Sequence, residues 1–128
     1  MAHEVVQEVV LGAGGRALAT GEWGLTVPDV GAEGWSLDVG LRLRRGVLRA
    51  QAFVAGAGSV DEHELLVRNR GLLGVRFAHT GSGDVWLVGD LFEEHVSAAS
   101  VDRLLGLLVA AAGDVRVLVQ VRSERPVG

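Results

Sequence analysis

The sequence predicts an α+β fold, in which a helix, antiparallel sheet strands, a second helix, a β-hairpin and a third helix follow one another. Three observations support this class. Apolar and polar residues alternate over residues 35–44, as in a strand with one buried face. Strand-like segments are separated by short glycine-containing breaks at 45–46 and 80–83, which is typical of hairpins. Apolar residues also recur every three or four positions near both ends of the chain, which indicates helices.

The first predicted helix begins close to residue 1. Its apolar positions lie at spacings of three and four and would form one stripe: Val6, Val9, Val10, Ala13 and Ala17. Three glycines lie in this segment, and each costs a helix about 1 kcal/mol relative to alanine. We therefore expect this helix to depend on packing against the rest of the fold.

The same glycines resemble a phosphate-binding loop, because VVLGAGGRALA (residues 9–19) contains the pattern Gly-x-Gly-x-x-Ala. A dinucleotide-binding loop needs a strand before the glycines and a crossover helix of about ten residues or more after them. The segment TGEWG at residues 20–24 interrupts the chain too early for that helix. The structural helix is therefore favoured over the phosphate-binding loop.

Three strands are expected between residues 23 and 56. The short segment WGLTV (23–27) precedes Pro28, which confines the strand to a sheet edge or ends it. The next strand has an apolar face made of Trp35, Leu37, Val39, Leu41 and Leu43. The break at Arg45–Gly46 leads into residues 47–56, which are apolar on both faces, so we expect both faces to be covered.

The middle helix is expected to start near residue 59 and to stop near Gly74. Ser59 and Glu62 have the spacing of a capping box, and Asp61 is a competing cap. The segments VRFAH and DVWLVGDL then flank TGSG (80–83), which predicts the second hairpin. A phosphate cradle is the alternative interpretation of TGSG, but no helix opens directly after it.

The last helix is predicted from Ser97 onward and has the strongest helical pattern of the chain. Its buried stripe would comprise Val101, Leu104, Leu105, Leu108 and Ala112. Residues 115–121 fit either a strand or a continued helix, and residues 122–128 are expected to fray. With 128 residues, the chain (1–128) is expected to form a single domain.

Composition argues against several function classes. There is no cysteine, and the histidines do not have a two-histidine metal spacing, so we expect no metal site. The formal net charge of −4 argues against a general nucleic-acid binder, although arginines at 42, 44, 45 and 49 could form a local basic strip or a solvated sheet face. No membrane span or signal peptide is visible, so a soluble cytoplasmic protein is expected.

No catalytic constellation is visible either. The acidic residues around His63 fit a solvated helix cap, and Glu93, Glu94 and His95 fit a solvated turn better than a general acid or base. No nucleophile or metal accompanies them. We therefore expect a protein that is not an enzyme and has no cofactor.

The order of the elements, together with LLVRNRGLLGVRF (65–77), DVWLVGDL (84–91) and the leucine-rich last helix, resembles the YbjN family. The shared residues are Asn69 and Leu72 near the end of the middle helix, Arg76–Phe77 in the next strand, and an acidic connector before Val96–Ser97. The resemblance extends from Trp23 to Ala112. It implies the fold of type III secretion chaperones, whose members are small, non-enzymatic and commonly dimeric.

The resemblance also implies a function and two sets of site residues. The protein would be a dimeric chaperone-like module that holds an extended segment of a partner protein in apolar grooves. The partner-binding residues would be Val6, Val10, Trp23, Leu25, Trp35, Leu37 and Phe53. The dimer interface would comprise Leu65, Leu66, Asn69, Leu72, Leu73 and Phe77. The alternative function is a small-ligand or nucleotide sensor that uses a glycine-rich loop.

Overall fold

The structure is a computed structural model that describes residues 1–124, with side chains through residue 119. The helices are α1 (Ala2–Gly12), α2 (Glu62–Gly71) and α3 (Ala98–Glu124), with a 3₁₀ turn at Glu93–His95. The strands are β1 (Arg16–Ala19), β2 (Glu22–Val27), β3 (Leu37–Arg44), β4 (Val47–Ala55), β5 (Val75–His79) and β6 (Val85–Phe92). They form one antiparallel sheet of order β1-β2-β3-β4-β6-β5, which confirms the predicted α+β class.

One face of the sheet is covered by α1 and α3. α3 contacts β4, β5 and β6, whereas α1 contacts β1, β2 and α3 itself. The predicted stripe of α3 is buried, as are Val6 and Val10 of α1. On the sheet, every second residue of β3 points into this core, beginning with Leu37, whereas Trp35 precedes the strand and is half-buried. The hydrophobic core therefore lies between the two helices and one face of the sheet.

α1 ends at Gly12, earlier than its apolar spacing predicts. Gly14 turns the chain with a φ of 86°, and a Cβ at Gly15 would lie only 2.6 Å from the carbonyl oxygen of Gly24. Ala17 consequently lies in β1, where it is exposed. The prediction of a helical stripe through Ala17 is wrong, because the glycine turn ends the helix although the apolar spacing continues.

One expectation about strand environment is decided and another is wrong. β2 lies between β1 and β3 rather than at an edge, and it ends at Val27, so of the two alternatives for Pro28 the one in which it ends the strand is correct. β4 buries one face and exposes Arg49, Gln51 and Phe53 on the other. Val47 and Phe53 made the second face of β4 look apolar in the sequence, but only the face of Leu48, Ala50, Ala52 and Val54 lies toward the helices.

The first hairpin turns at the predicted break. Arg45 and Gly46 both have positive φ angles, 54° and 76°, which is the backbone of a two-residue hairpin turn and confirms the predicted break.

Asp61 rather than Ser59 is the N-cap of α2, because its carboxylate accepts a hydrogen bond from the His63 N–H at 3.0 Å. α2 ends at Gly71, before the predicted stop.

Residues 115–121, whose sequence fits either a strand or a continued helix, are helical. α3 continues to Glu124, and Val115 lies fully buried in the core. Of the segment expected to fray, residues 122–124 belong to α3 and residues 125–128 lie outside the described residues.

The buried guanidinium of Arg116 joins α3 to the β2–β3 connection and to the end of β4. Its Nε donates to the Val54 carbonyl at 3.0 Å, and its Nη1 donates to the Ser36 carbonyl at 2.8 Å. Further carbonyls lie within 3.5 Å, those of Val30, Trp35 and Phe53. Burial lowers the pKa of Arg116 from its ordinary value, and the charge of Asp38 opposes this shift. Arg116 therefore holds together three segments that are distant in sequence.

Candidate functional site

The sheet face opposite α1 and α3, here called the open face, presents mostly exposed side chains. Strand register arranges these side chains in rows that run across the sheet. Phe53 of β4 lies beside Trp86 of β6 in one row. Gly24, Gly40 and Gln51 are neighbours in the next row, and Glu22, Arg42, Arg49 and Asp90 are neighbours in the row after that. The open face therefore carries aromatic side chains, with Thr26 and Asp38 beside them, at one end and arginines at the other.

The aromatic end of the open face is formed by Leu18, Phe53 and Trp86. Phe53 and Trp86 meet edge to face, with their ring centroids 6.0 Å apart at 81°. Leu18 and Phe53 remain 55% and 41% exposed. The indole N–H of Trp86 is buried without a hydrogen-bond partner among the described residues. Such a group is costly unless it is satisfied, so a bound carbonyl that reached it would be stabilised there.

A concavity of about 750 Å³ lies beside the aromatic end, and its floor is backbone. Gly24 and Gly40 are direct neighbours on β2 and β3 and place no side chain over the sheet. The side chain of Leu18 lies above Gly24, where an added Cβ would be 3.2 Å from Leu18 Cδ1. The walls combine the apolar side chains of the aromatic end with the polar or charged side chains of Arg16, Thr26, Asp38 and Gln51. Such walls over a backbone floor form a surface suited to an extended chain.

The arginine end of the open face comprises Arg42, Arg44, Arg45 and Arg49, which line a further concavity of about 500 Å³. Arg49 makes a bidentate ion pair with Asp90, at 2.7 Å for Nε–Oδ1 and 3.0 Å for Nη2–Oδ2. The hydrogen bond from Arg49 lowers the pKa of Asp90, while partial burial of the carboxylate opposes this shift. The same pair raises the pKa of Arg49.

The structure buries most of the residues predicted to bind a partner. Five of them are core residues of the single chain: Val6, Val10, Trp23, Leu25 and Leu37. They present no surface in this conformation, because α1 packs its apolar stripe against the sheet. Trp35 is half-buried beside Arg116, and Phe53 lies on the open face. Leu18 and Trp86, which the sequence analysis did not assign, complete the surface around Phe53. Strand parity would have found Trp86, since it lies between residues that alternate inward.

The residues predicted to form a dimer interface divide into internal and external ones. Leu65 and Phe77 are buried, and Asn69 binds the backbone of Phe77. Leu66 and Leu73 are 68% and 79% exposed. Leu72 is half-buried against the core. Only part of the predicted set is therefore available to a second molecule.

The two glycine loops use their backbone amides internally. The amides of Ala13, Gly14 and Gly15 all donate to carbonyls of α1. In TGSG, Gly83 N–H donates to the Thr80 carbonyl, and Asp84 N–H donates to Thr80 Oγ1. The Asp84 carboxylate also lies beside this loop, where it accepts from Ala57 N–H at 3.1 Å. The named amides therefore bond to acceptors within the chain, which does not favour the nucleotide-sensor alternative.

Outside the open face, the titratable side chains of the described residues include a histidine–glutamate pair and the acidic turn before α3. His79 Nδ1 lies 3.5 Å from Glu62 Oε1, and Glu93–His95 form the 3₁₀ turn before α3. Within residues 1–124, no group of three or more His, Cys, Asp or Glu side chains is arranged to hold a metal ion. None of the described helices has the length and apolar character to cross a membrane.

Solved structures similar to this chain include a type III secretion chaperone and chains of chaperone–partner complexes. The Yersinia pestis chaperone SycH, solved with a stable fragment of YscM2, has a TM-score of 0.65 at 16% identity, covering 88% of this chain and 97% of SycH. A chain of the ExsC–ExsE complex has a TM-score of 0.66 at 18% identity, covering 91% and 95%. A chain of the HopA1–SchA chaperone–effector complex has a TM-score of 0.69 at 13% identity, covering 88% and 91%.

The fold is that of type III secretion chaperones. This finding confirms the chaperone-like fold expected from the resemblance. No protein-family model and no curated protein sequence matches the chain, so the narrower assignment to the YbjN family stays a prediction.

Proposed function

We propose that this chaperone-like protein is a non-enzymatic binding module that holds an extended segment of a partner protein on its open face. The observation that carries the proposal is the aromatic end, where Leu18, Phe53 and Trp86 surround a backbone-floored concavity. Exposed apolar groups grouped beside a concavity are typical of binding surfaces rather than of scattered surface hydrophobes. The proposed binding residues differ from most of those predicted from the sequence. Solvent reaches Leu18 and Phe53, whereas five of the predicted residues lie in the core.

The sheet edges support the same proposal. At the β5 edge, Asn69 already occupies the N–H and carbonyl of Phe77. At the other edge, all four residues of β1 are exposed, and Leu18 belongs to that strand. A partner strand that paired with β1 would lie directly beside the aromatic end and gain main-chain hydrogen bonds there.

The structural neighbours agree with a protein partner. SycH was solved with a fragment of YscM2, ExsC with ExsE, and SchA with the effector HopA1. We carry this property to the present chain because its own surface offers the apolar concavity described above. We also propose a homodimer, with the exposed side chains of Leu66 and Leu73 in its interface.

The proposal is tested by selecting binders from a displayed library of peptides of about twelve residues, the length of an extended segment that spans a sheet. Affinities of selected peptides are then measured for the native chain, for Leu18→Ser/Phe53→Ser and for Leu11→Ser. Leu11 is the matched control because it is 50% exposed but lies on α1. We expect the double variant to lose about tenfold or more in affinity and the control to lose none. Failure to select any peptide, or an equal loss in both variants, would reject the proposal.

A further inference from the structure

We propose that the arginine end of the open face receives acidic residues of the same extended segment whose apolar residue occupies the aromatic end. The inference rests on the proposed function and adds to it the chemistry of the segment and the spacing of its two parts. It follows from the charges at the arginine end, the continuity of the open face and the length of the strands.

The arginine end holds more positive charge than its neighbours neutralise. Asp90 binds Arg49 and lies 3.5 Å from Arg76, and Glu22 lies 4.0 Å from Arg44. Glu93 is the other acid nearby, beside Gly46 of the hairpin. Arg42 and Arg45 make no ion pair with any residue that the structure describes.

Strand register places a like charge beside Arg42. Arg42 of β3 is directly opposite Arg49 of β4, and like charges in that position destabilise an antiparallel pair. Glu22 of β2 is opposite Arg42 on the other side, but it makes its ion pair with Arg44, at 4.0 Å. The chain as a whole has a net charge of −4, so the excess of arginine is local to this end of one face. A carboxylate beside Arg42 would relieve the repulsion between Arg42 and Arg49, which is charge complementarity toward an acidic ligand.

The aromatic and arginine ends belong to one continuous depression. The concavity at the aromatic end shares Leu18, Gly40 and Gln51 with a middle concavity of about 230 Å³. That middle concavity shares Arg42 and Arg49 with the one at the arginine end. A single segment can therefore contact both ends without leaving the sheet.

The strand length gives the spacing. Phe53 and Arg49 are four residues apart on β4, which corresponds to about 13 Å, and Val47 at the hairpin end of β4 is six residues from Phe53, about 20 Å. Arg45 lies in the turn just beyond Val47. A partner segment that runs along the strands would place its acidic residues about four to seven positions from its apolar residue. The ligand is therefore proposed to be a protein segment rather than a nucleic acid, because the net charge of −4 opposes a polyanion that extends beyond this end of the sheet.

The test uses three fluorescent peptides of about twelve residues, the length that covers both ends. Each carries a Leu-Trp pair, and about four residues later a run of glutamate, glutamine or lysine. We expect the glutamate peptide to bind about three- to tenfold more tightly than the glutamine peptide, the range given by two solvent-exposed ion pairs. The difference should shrink between about 50 mM and about 500 mM NaCl, because salt screens exposed charges.

Variants locate the effect. Arg42→Gln/Arg45→Gln should remove the preference for glutamate, and Arg42→Glu/Arg45→Glu should transfer it to lysine. Arg70→Gln/Arg103→Gln is the matched control, because both arginines are exposed and lie on α2 and α3. Neither set removes an internal ion pair, so the variants should fold like the native chain.

The outcomes separate the inference from the proposed function. If the glutamine peptide binds the native chain and does not bind Phe53→Ser, this result supports the proposed function only. Equal binding of the glutamate and glutamine peptides would overturn only the inference, as would tighter binding of the lysine peptide or of a single-stranded oligonucleotide. Absence of binding by all three peptides would overturn both.

Discussion

The side chain of Asn69 in α2 binds both backbone groups of Phe77 in β5. Its Oδ1 accepts the Phe77 N–H at 2.7 Å, and its Nδ2 donates to the Phe77 carbonyl at 3.2 Å. β5 pairs with β6 on one side only, so the asparagine satisfies groups on the free side of the sheet. A residue predicted to contact a second molecule instead fastens α2 to the edge of its own sheet.

Replacing Asn69 should destabilise the fold. We expect Asn69→Ala to lower the free energy of unfolding by about 1–3 kcal/mol, because it leaves a backbone N–H and carbonyl without these partners. Asn69→Asp keeps the acceptor for the Phe77 N–H and loses only the donor to the Phe77 carbonyl. It should therefore lower the free energy of unfolding by less than Asn69→Ala does. Urea titration measures both, with Arg70→Ala as the exposed control on the same helix. An unchanged midpoint for Asn69→Ala would contradict the role given to this side chain.

Gly89 should tolerate no side chain. A Cβ there would lie 2.5 Å from Leu104 Cδ1 and 2.9 Å from the Gly74 carbonyl oxygen. We expect Gly89→Ala to destabilise by about 1–3 kcal/mol through overpacking between β6 and α3. Gly106→Ala is the matched control, since nothing lies within 4 Å of its added Cβ and alanine favours the helix by about 1 kcal/mol. Thermal unfolding should therefore shift in opposite directions for the two variants, and a common direction would refute the packing argument.

Loss of the Arg116 guanidinium should be among the most damaging single changes. Arg116→Met removes donors to the carbonyls of Val54 and Ser36, among others, and leaves them buried. We expect a loss of about 2–4 kcal/mol in unfolding free energy, the scale of charged hydrogen bonds lost in the interior. Arg103→Met, at an exposed position of α3, is the control. Equal unfolding curves for the two variants would show that Arg116 does not join these segments.

Stability should depend on the ionisation of Asp90 at acidic pH. Its pKa is lowered in the folded protein, chiefly by the hydrogen bond from Arg49, so its contribution is present above the pKa of the unfolded chain. That contribution is lost as the pH falls below the ordinary aspartate value of about 3.9 toward the lowered folded value. We expect Asp90→Asn to reduce the acid dependence of the denaturation midpoint measured between about pH 6 and about pH 2. An identical pH profile for variant and native chain would contradict the predicted coupling.

The proposed dimer is open to a direct test. If Leu66 and Leu73 form the interface, Leu66→Glu/Leu73→Glu should convert the dimer to a monomer, because it places charges in an apolar contact. Light scattering on a gel-filtration column measures the mass, and Leu11→Glu is the control on α1. A monomeric native chain, or a double variant that stays dimeric, would reject this interface.

Much of the fold followed from local pattern. Short segments alone determine the alternation in β3, the hairpin break at Arg45–Gly46 and the apolar stripe of α3. These elements were predicted correctly. The errors lay where distant segments meet. Ala17 leaves the helical stripe because the turn at Gly14 and Gly15 brings the chain onto β2, and no property of residues 9–17 alone shows that contact.

The functional surface required the tertiary structure. The sequence by itself determined which residues are apolar and that the fold is α+β, because these depend on composition and periodicity. It did not determine which apolar residues remain outside, because burial depends on which face α1 and α3 cover. Trp23 and Phe53 were assigned to one groove, yet the helices bury Trp23 and leave Phe53 exposed on the opposite face of the sheet. Only the packing of helices on one face creates the open face with its aromatic and arginine ends.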